Sequence, residues 1–187
     1  VGVGFDTKGA GNIEIHEPNS DITTVVIEDS REGWYESVAT ILESYFFKNR
    51  KTVVFDYSLI RPAGEPIKGF GGVAVGPSPL VDLHEAIRVI FLGRRGTRIT
   101  STDIVDLENL IGKCVVAGNV RRSAEIALGS FDDQEFLDLK NPLVNPTRNG
   151  VMLDDEGHIL VDQKGNWLNT HDGGWAFTSN NSVFGEM

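Results

Sequence analysis

Strands alternating with amphipathic helices predict an α/β fold for this chain of 187 residues, and three observations carry the prediction. Apolar residues recur at helical spacing over 31–47, from 78 to about 93, and over 102–114. Short β-branched or alternating runs lie around them, at 1–5, 25–27, 52–57 and 124–128. Clusters of Gly, Pro, Asn and Asp separate the two kinds of segment.

In chain order, Val1-Gly2-Val3-Gly4-Phe5 reads as a strand whose glycines admit another backbone or a ligand. With Gly9 and Gly11 it imitates a dinucleotide fingerprint, but no helix follows where that motif needs one. Residues 12–20 are polar and irregular. Asp29-Ser30-Arg31-Glu32 opens a helix in the manner of a capping box, and Trp34, Val38, Ile41, Leu42 and Tyr45 share its apolar face. After the strand at 52–57, residues 58–79 form a Gly- and Pro-rich loop too long for an idle connection. Arg61 and Lys68 flank it and Gly69-Phe70-Gly71-Gly72 offers backbone donors, but it lacks a P-loop ending, so anion binding and plain turn chemistry both stay open.

Ser78 and Pro79 supply the cap and first turn of a second helix with Leu80, Leu83, Ile87 and Ile90 as its stripe. His84 and Glu85 fall off that stripe and are predicted to be solvated. Thr100 and Ser101 cap a third helix with Ile104, Leu107, Ile111 and Cys114 on one face, which makes Cys114 a small buried hydrophobe rather than a nucleophile. Ala124, Ile126 and Leu128 then alternate as the buried face of a strand. Ser130 caps a short helix containing Phe136, Leu137 and Leu139, which Pro142 stops. Residues 158–161 and 167–168 read as arms of an exposed hairpin, with turns at 155–157 and 164–166. A returning strand at 175–183 places the amides of Asn180 and Asn181 in a buried setting, where they lock a turn or meet a ligand. No internal repeat is read.

The net charge of −10 argues against general binding to nucleic acid or an anionic membrane. Basic residues act locally, in islands at Arg61/Lys68, Arg94/Arg95/Arg98 and Arg121/Arg122. One cysteine excludes a disulfide framework and a cysteine metal site and fits a reducing, cytoplasmic setting. The four histidines show no metal-ligand spacing, and no apolar run approaches the roughly 20 residues of a membrane span. An opening inside an apolar run and a close without a cap predict a segment of a longer polypeptide.

The stretch from Ile111 to Gly129 organises the rest. A helix end, a Gly118-Asn119 turn carrying Arg121 and Arg122, and an alternating strand follow one another. Such a turn presents guanidinium groups and backbone donors to an anion. Val116-Ala117-Gly118-Asn119-Val120-Arg121-Arg122-Ser123-Ala124-Glu125-Ile126 resembles the second specificity loop of the adenosylcobalamin-dependent (class II) ribonucleoside-triphosphate reductases. The 1–7 run, the 55–72 stretch and Ser179-Asn180-Asn181-Ser182-Val183 agree with that family in kind and order.

The resemblance implies part of a ten-stranded α/β barrel with inserted helices, the whole of 1–187 being one segment of the catalytic and allosteric domain. It implies cobalamin-initiated thiyl radical reduction of ribonucleoside triphosphates, a deoxynucleoside triphosphate effector and a thioredoxin-type reductant. Arg61, Lys68, Gly71 and Gly72 would hold the effector. Gly2, Gly4, Asn119, Arg121, Arg122 and Ser123 would face the substrate, and the roles of Asn180 and Asn181 stay open. An insertion over 6–54 points to the monomeric branch, in which inserted helices replace a partner subunit. The radical and redox cysteines of the family are missing, so no catalytic residue is assigned, and the segment alone is expected to be inactive. Adenosylcobalamin contacts are not placed. A free-standing nucleotide-binding regulatory module is the alternative that needs no truncation.

Overall fold

The computed structural model describes residues 2–67, 72–117, 124–170, 174–175 and 178–184. Their order is β1 (Gly2–Asp6), β2 (Asn19–Val26), α1 (Arg31–Phe46), β3 (Lys51–Asp56), α2 (Ser78–Phe91), α3 (Ser101–Val116), β4 (Ala124–Ser130), α4 (Gln134–Leu137) and β5 (Ser179–Phe184). All pairings between named strands are parallel, in a sheet of order β1-β4-β5 and a pair β2-β3. The fold is mixed α/β, as the alternating periods predict. Among the described residues, five strands in two open sheets do not by themselves make a ten-stranded barrel.

The chain divides into two compact units, one of Val1–Ala10, Thr100–Lys113 and Ser123–Met187, the other of Gly11–Ile99 and Cys114–Arg122. In the second unit, β2, α1 and β3 make a parallel crossover. Ser30 caps α1 by accepting the Gly33 N–H at 2.9 Å. A side chain at 33 would meet the Glu28 carbonyl at 2.6 Å, so only glycine fits that turn. Ile41 and Tyr45 on α1, Val53 and Phe55 on β3, and Leu80, Leu83, Ile87 and Phe91 on α2 are buried. The Tyr45 and Phe91 rings lie 5.1 Å apart. The cap predicted at Ser78 is displaced: Pro77 holds the cap position without a side-chain bond, and Ser78 already belongs to α2.

In the first unit, α3 starts with a reciprocal cap, Thr100 N–H to Asp103 Oδ2 at 2.8 Å and Asp103 N–H to Thr100 Oγ1 at 3.2 Å. The buried residues of α3 are Ser101, Asp103, Val105, Asp106, Leu107, Asn109 and Gly112, whereas Ile104, Ile111 and Cys114 are half-buried. The face packed deepest keeps Leu107 of the predicted stripe but is largely polar: Asp103 is bonded to Thr100, Ser101 to Asp133 and Asp106 to Arg148, while Asn109 Oδ1 accepts no bond among the described residues. On β4 the alternation holds but the buried set is Glu125, Ala127 and Gly129, and Ile126 is 42% exposed. A period of two does not say which face is covered. Phe136 packs into the space at Gly129, where any Cβ would collide with its ring. Asp133, not Ser130, caps α4 by accepting the Phe136 N–H at 3.1 Å.

The region read as a hairpin is a closed threefold knot of backbone bonds. Met152 N–H donates to Leu168, Leu168 N–H to Leu160 and Leu160 N–H to Met152, each at 2.9 Å. Bridges 151/169, 153/159 and 161/167 flank these positions symmetrically. Two corners are matching turns in which Oδ1 of Asp154 or Asp162 accepts the N–H groups two and four residues on. The third is Thr170 N–H to Gly150 carbonyl at 2.7 Å, where the chain enters and leaves. Residues 151–166 thus hold two copies of an eight-residue unit and 167–170 begin a third, which corrects the reading of no repeat.

Candidate functional site

Sequence-predicted site residues fall in both units. In the second, the long loop after β3 is organised around a short antiparallel stem. Gly64 N–H donates to Ala74 at 2.9 Å, Ala74 N–H to Glu65 at 2.7 Å and Ile67 N–H to Gly72 at 3.1 Å, with a bridge between Pro66 and Val73. Gly72, at φ +87°, closes the stem in a conformation that favours glycine. Lys68 and Gly71 lie outside the described residues. Arg61 stands just before the stem, and its Nε donates to Asp29 Oδ2 at 2.6 Å. Its guanidinium is therefore partly compensated by a carboxylate carried immediately ahead of α1.

His84 corrects the expectation of a solvated side chain, for it is wholly buried. Its ring stacks on Phe55 at 4.1 Å and 20°. Nε2 lies 3.1 Å from Ser37 Oγ and Nδ1 2.8 Å from the Tyr57 hydroxyl. Burial, with the Arg88 charge adding to it, lowers the imidazole from its ordinary value to about 4. Burial likewise raises the Tyr57 phenol. A signal was available: Ser37 sits between Trp34 and Ile41 on the apolar face of α1, and a hydroxyl there needs a polar partner.

In the first unit, parallel pairing sets Gly2 beside Ala124, and Gly4 beside Ile126, which in turn pairs with Asn180. Paired residues point to one side of a sheet, so Gly2, Gly4 and Asn180 share a face with Ile126, opposite the buried Glu125 and Ala127. A Cβ at Gly4 would press on Ile126 Cγ2 at 3.3 Å. The setting predicted for the two amides is corrected: Asn180 is exposed and Asn181 half-buried on the other face, where its Oδ1 accepts from Ser179 Oγ at 3.1 Å. Asn119, Arg121, Arg122 and Ser123 lie outside the described residues, between the end of α3 and the start of β4.

Those two elements meet at an acid the sequence reading passed over. Glu125 lies against Gly112, where a Cβ would come within 2.7 Å of its carboxyl carbon. Burial, with the neighbouring Glu108 charge second, raises Glu125 to about 7, and burial raises Glu108 as well. A second clamp holds the polar face of α3. Asp106 accepts from Arg148 Nε at 2.9 and 2.8 Å and from the Trp175 indole at 2.7 Å.

A family described as B12-dependent ribonucleotide reductase, insertion domain, matches residues 6–91. A crystal structure of a B12-dependent (class II) ribonucleotide reductase superposes with a TM-score of 0.63 at 32% identity, over 87% of this chain and 19% of that one. The chain belongs to the B12-dependent ribonucleotide reductase family. A probable adenosylcobalamin-dependent ribonucleoside-triphosphate reductase of Dictyostelium discoideum is 50% identical over 165 residues, covering 79% of this chain and 22% of that protein. The adenosylcobalamin-dependent ribonucleoside-triphosphate reductase of Euglena gracilis is 50% identical over 150 residues, covering 79% and 20%. This member of the family thus spans about a fifth of the length of these relatives. No helix of the described residues is long and apolar enough to cross a membrane.

Proposed function

We propose that this chain is the allosteric segment of a ribonucleoside-triphosphate reductase. The full-length enzyme would convert ribonucleoside triphosphates to 2′-deoxyribonucleoside triphosphates for DNA synthesis, in the cytoplasm, with a thioredoxin-type reductant. The observation that supports this best is the 64–74 stem. It brackets Lys68 to Gly71 in the sequence, within the stretch that matches the family's insertion domain. Arg61 and Lys68 neutralise the phosphates of a deoxynucleoside triphosphate effector, and backbone N–H groups at Gly71 and Gly72 complete the cradle.

The substrate lies along Gly2 and Gly4, whose missing side chains let it approach the strand backbone. Asn119, Arg121, Arg122 and Ser123 meet its base or phosphates. The 6–54 insertion stands in for a partner subunit, which makes the enzyme monomeric, and β1, β4 and β5 belong to the ten-stranded barrel. Adenosylcobalamin, bound elsewhere in the full-length enzyme, supplies the radical. No described residue is assigned to it, and His84, with both ring nitrogens committed, is not fitted to ligate cobalt.

Effector and substrate sites are coupled by a free energy of about 1–3 kcal/mol, the usual size of such a link. Arg122→Ala in the full-length reductase is expected to lower effector-dependent discrimination between substrates roughly 5- to 150-fold, the factor equivalent to that energy. Substrate ratios measured with each deoxynucleotide check it. Unchanged ratios remove residues 118–123 from the relay.

A further inference from the structure

Three side chains that this function leaves unused form one directed line of hydrogen bonds. Ser37 gives its only hydroxyl proton to the Trp34 carbonyl at 2.8 Å, so toward His84 its oxygen can only accept. The proton of the 3.1 Å contact therefore sits on His84 Nε2. A neutral ring has one N–H, which leaves Nδ1 bare to accept the Tyr57 hydroxyl at 2.8 Å. Direction is thus set from end to end: Tyr57 to His84 to Ser37 to the backbone of α1.

The line joins places that matter to the loop. Tyr57 directly follows β3 and opens the 58–77 loop, His84 stands on α2 at the loop's far end, and Ser37 stands on α1. Arg61 is tied back toward the start of α1 through Asp29. A core position that needed only volume would take an apolar residue. Burying a histidine with two bonded nitrogens has a desolvation cost, and what it adds is orientation.

We propose that His84 is a positioning residue for the effector loop: by fixing Tyr57 it ties the start of the 58–77 loop to α1 through Ser37, in the arrangement that receives the deoxynucleotide. The inference rests on reading that loop as the effector's. His84 makes no contact with the nucleotide itself.

Two shortened replacements separate orientation from packing. His84→Asn sets an amide oxygen near the place of Nδ1, keeping an acceptor for Tyr57 and giving up Ser37. His84→Gln reaches the place of Nε2, keeping a donor for Ser37 and giving up Tyr57. Calorimetric titration of deoxynucleoside triphosphates into the full-length reductase, with thermal unfolding alongside, reads the difference. Asn is expected to stay within about twofold of the parent affinity, while Gln and Tyr57→Phe each weaken it roughly three- to tenfold, the worth of one neutral hydrogen bond. Combining Gln with Tyr57→Phe is expected to add nothing, since both remove the same bond.

Equal weakening by Asn and Gln, in step with their unfolding temperatures, would reduce His84 to packing and overturn the proposal. Unchanged affinity in Gln and Tyr57→Phe would overturn it too. Tyr57→Phe keeps the ring and its volume, so it decides the matter even where the His84 variants fail to fold. Arg61→Ala tests the underlying reading separately: undiminished effector affinity there sinks the effector loop itself, whereas a loss there with none in Tyr57→Phe sinks only the role of His84.

Discussion

The two units bury polar groups in opposite ways. The first buries acids: Asp106 as an ion held by Arg148 and Trp175, and Glu125 against Gly112, where burial and the nearby Glu108 push it toward its neutral form. The second buries a neutral line, Tyr57, His84 and Ser37, stacked on an aromatic ring. A buried ion must keep its partner, because a single charge left behind costs more than the pair contributed. A neutral line loses less when cut, and its value lies in direction. The ionic unit is accordingly the one more exposed to mutation, and the neutral unit the one suited to positioning a loop.

The largest expected effect cuts the ionic clamp. Arg148→Ala leaves Asp106 buried with Trp175 still donating, and is expected to destabilise the first unit by about 3–5 kcal/mol. His84→Phe, the matching cut in the second unit, is expected to cost about 1–3 kcal/mol. Hydrogen exchange resolved to α3 and β4 on one side and α1 and α2 on the other measures each separately. Equal losses would erase the contrast.

Acid and base sharpen the same comparison. His84 has its folded value lowered, so its contribution is complete above the unfolded value near 6.5 and fades as pH falls toward about 4. Glu125 has its value raised, so its contribution is complete below the unfolded 4.5 and fades as pH rises through about 7. Each swing is of order 3 kcal/mol at most. Amide protection should therefore weaken first in the second unit on acidification and first in the first unit on alkalinisation. His84→Asn and Glu125→Gln should each flatten only its own slope.

Smaller effects test the periphery. Asp29→Ala releases a partly exposed ion pair and is expected to cost no more than about 1 kcal/mol, seen as a small fall in unfolding temperature. Replacing 152–168 with Asn-Gly, which keeps the buried Val151 and its antiparallel bridge to Asn169, should change stability by less than about 1 kcal/mol, because a two-residue turn can close that pair. A cooperative loss of the first unit instead would show that the knot supports it.

Local physics made much of this molecule legible. Apolar spacing and caps located α1, α2 and α3 to within a few residues, because a helix organises its own backbone. The eight-residue unit, three apolar residues and then Asp-x-x-Gly, was also there to be read in 151–166. The family motifs at 1–7, 55–72 and 116–126 survive in primary order, so family membership was within reach before any coordinate.

What the amino-acid order by itself determined is where elements start, what period they carry and which family they belong to. Tertiary structure alone decided which face of β4 is covered, that Asp106 meets Arg148, and that His84 is the residue that meets Ser37 and Tyr57. The physical reason is distance along the chain. Ser37 and His84 are 47 residues apart, and a side chain's burial, proton position and charge are set by neighbours in space, which no local period encodes.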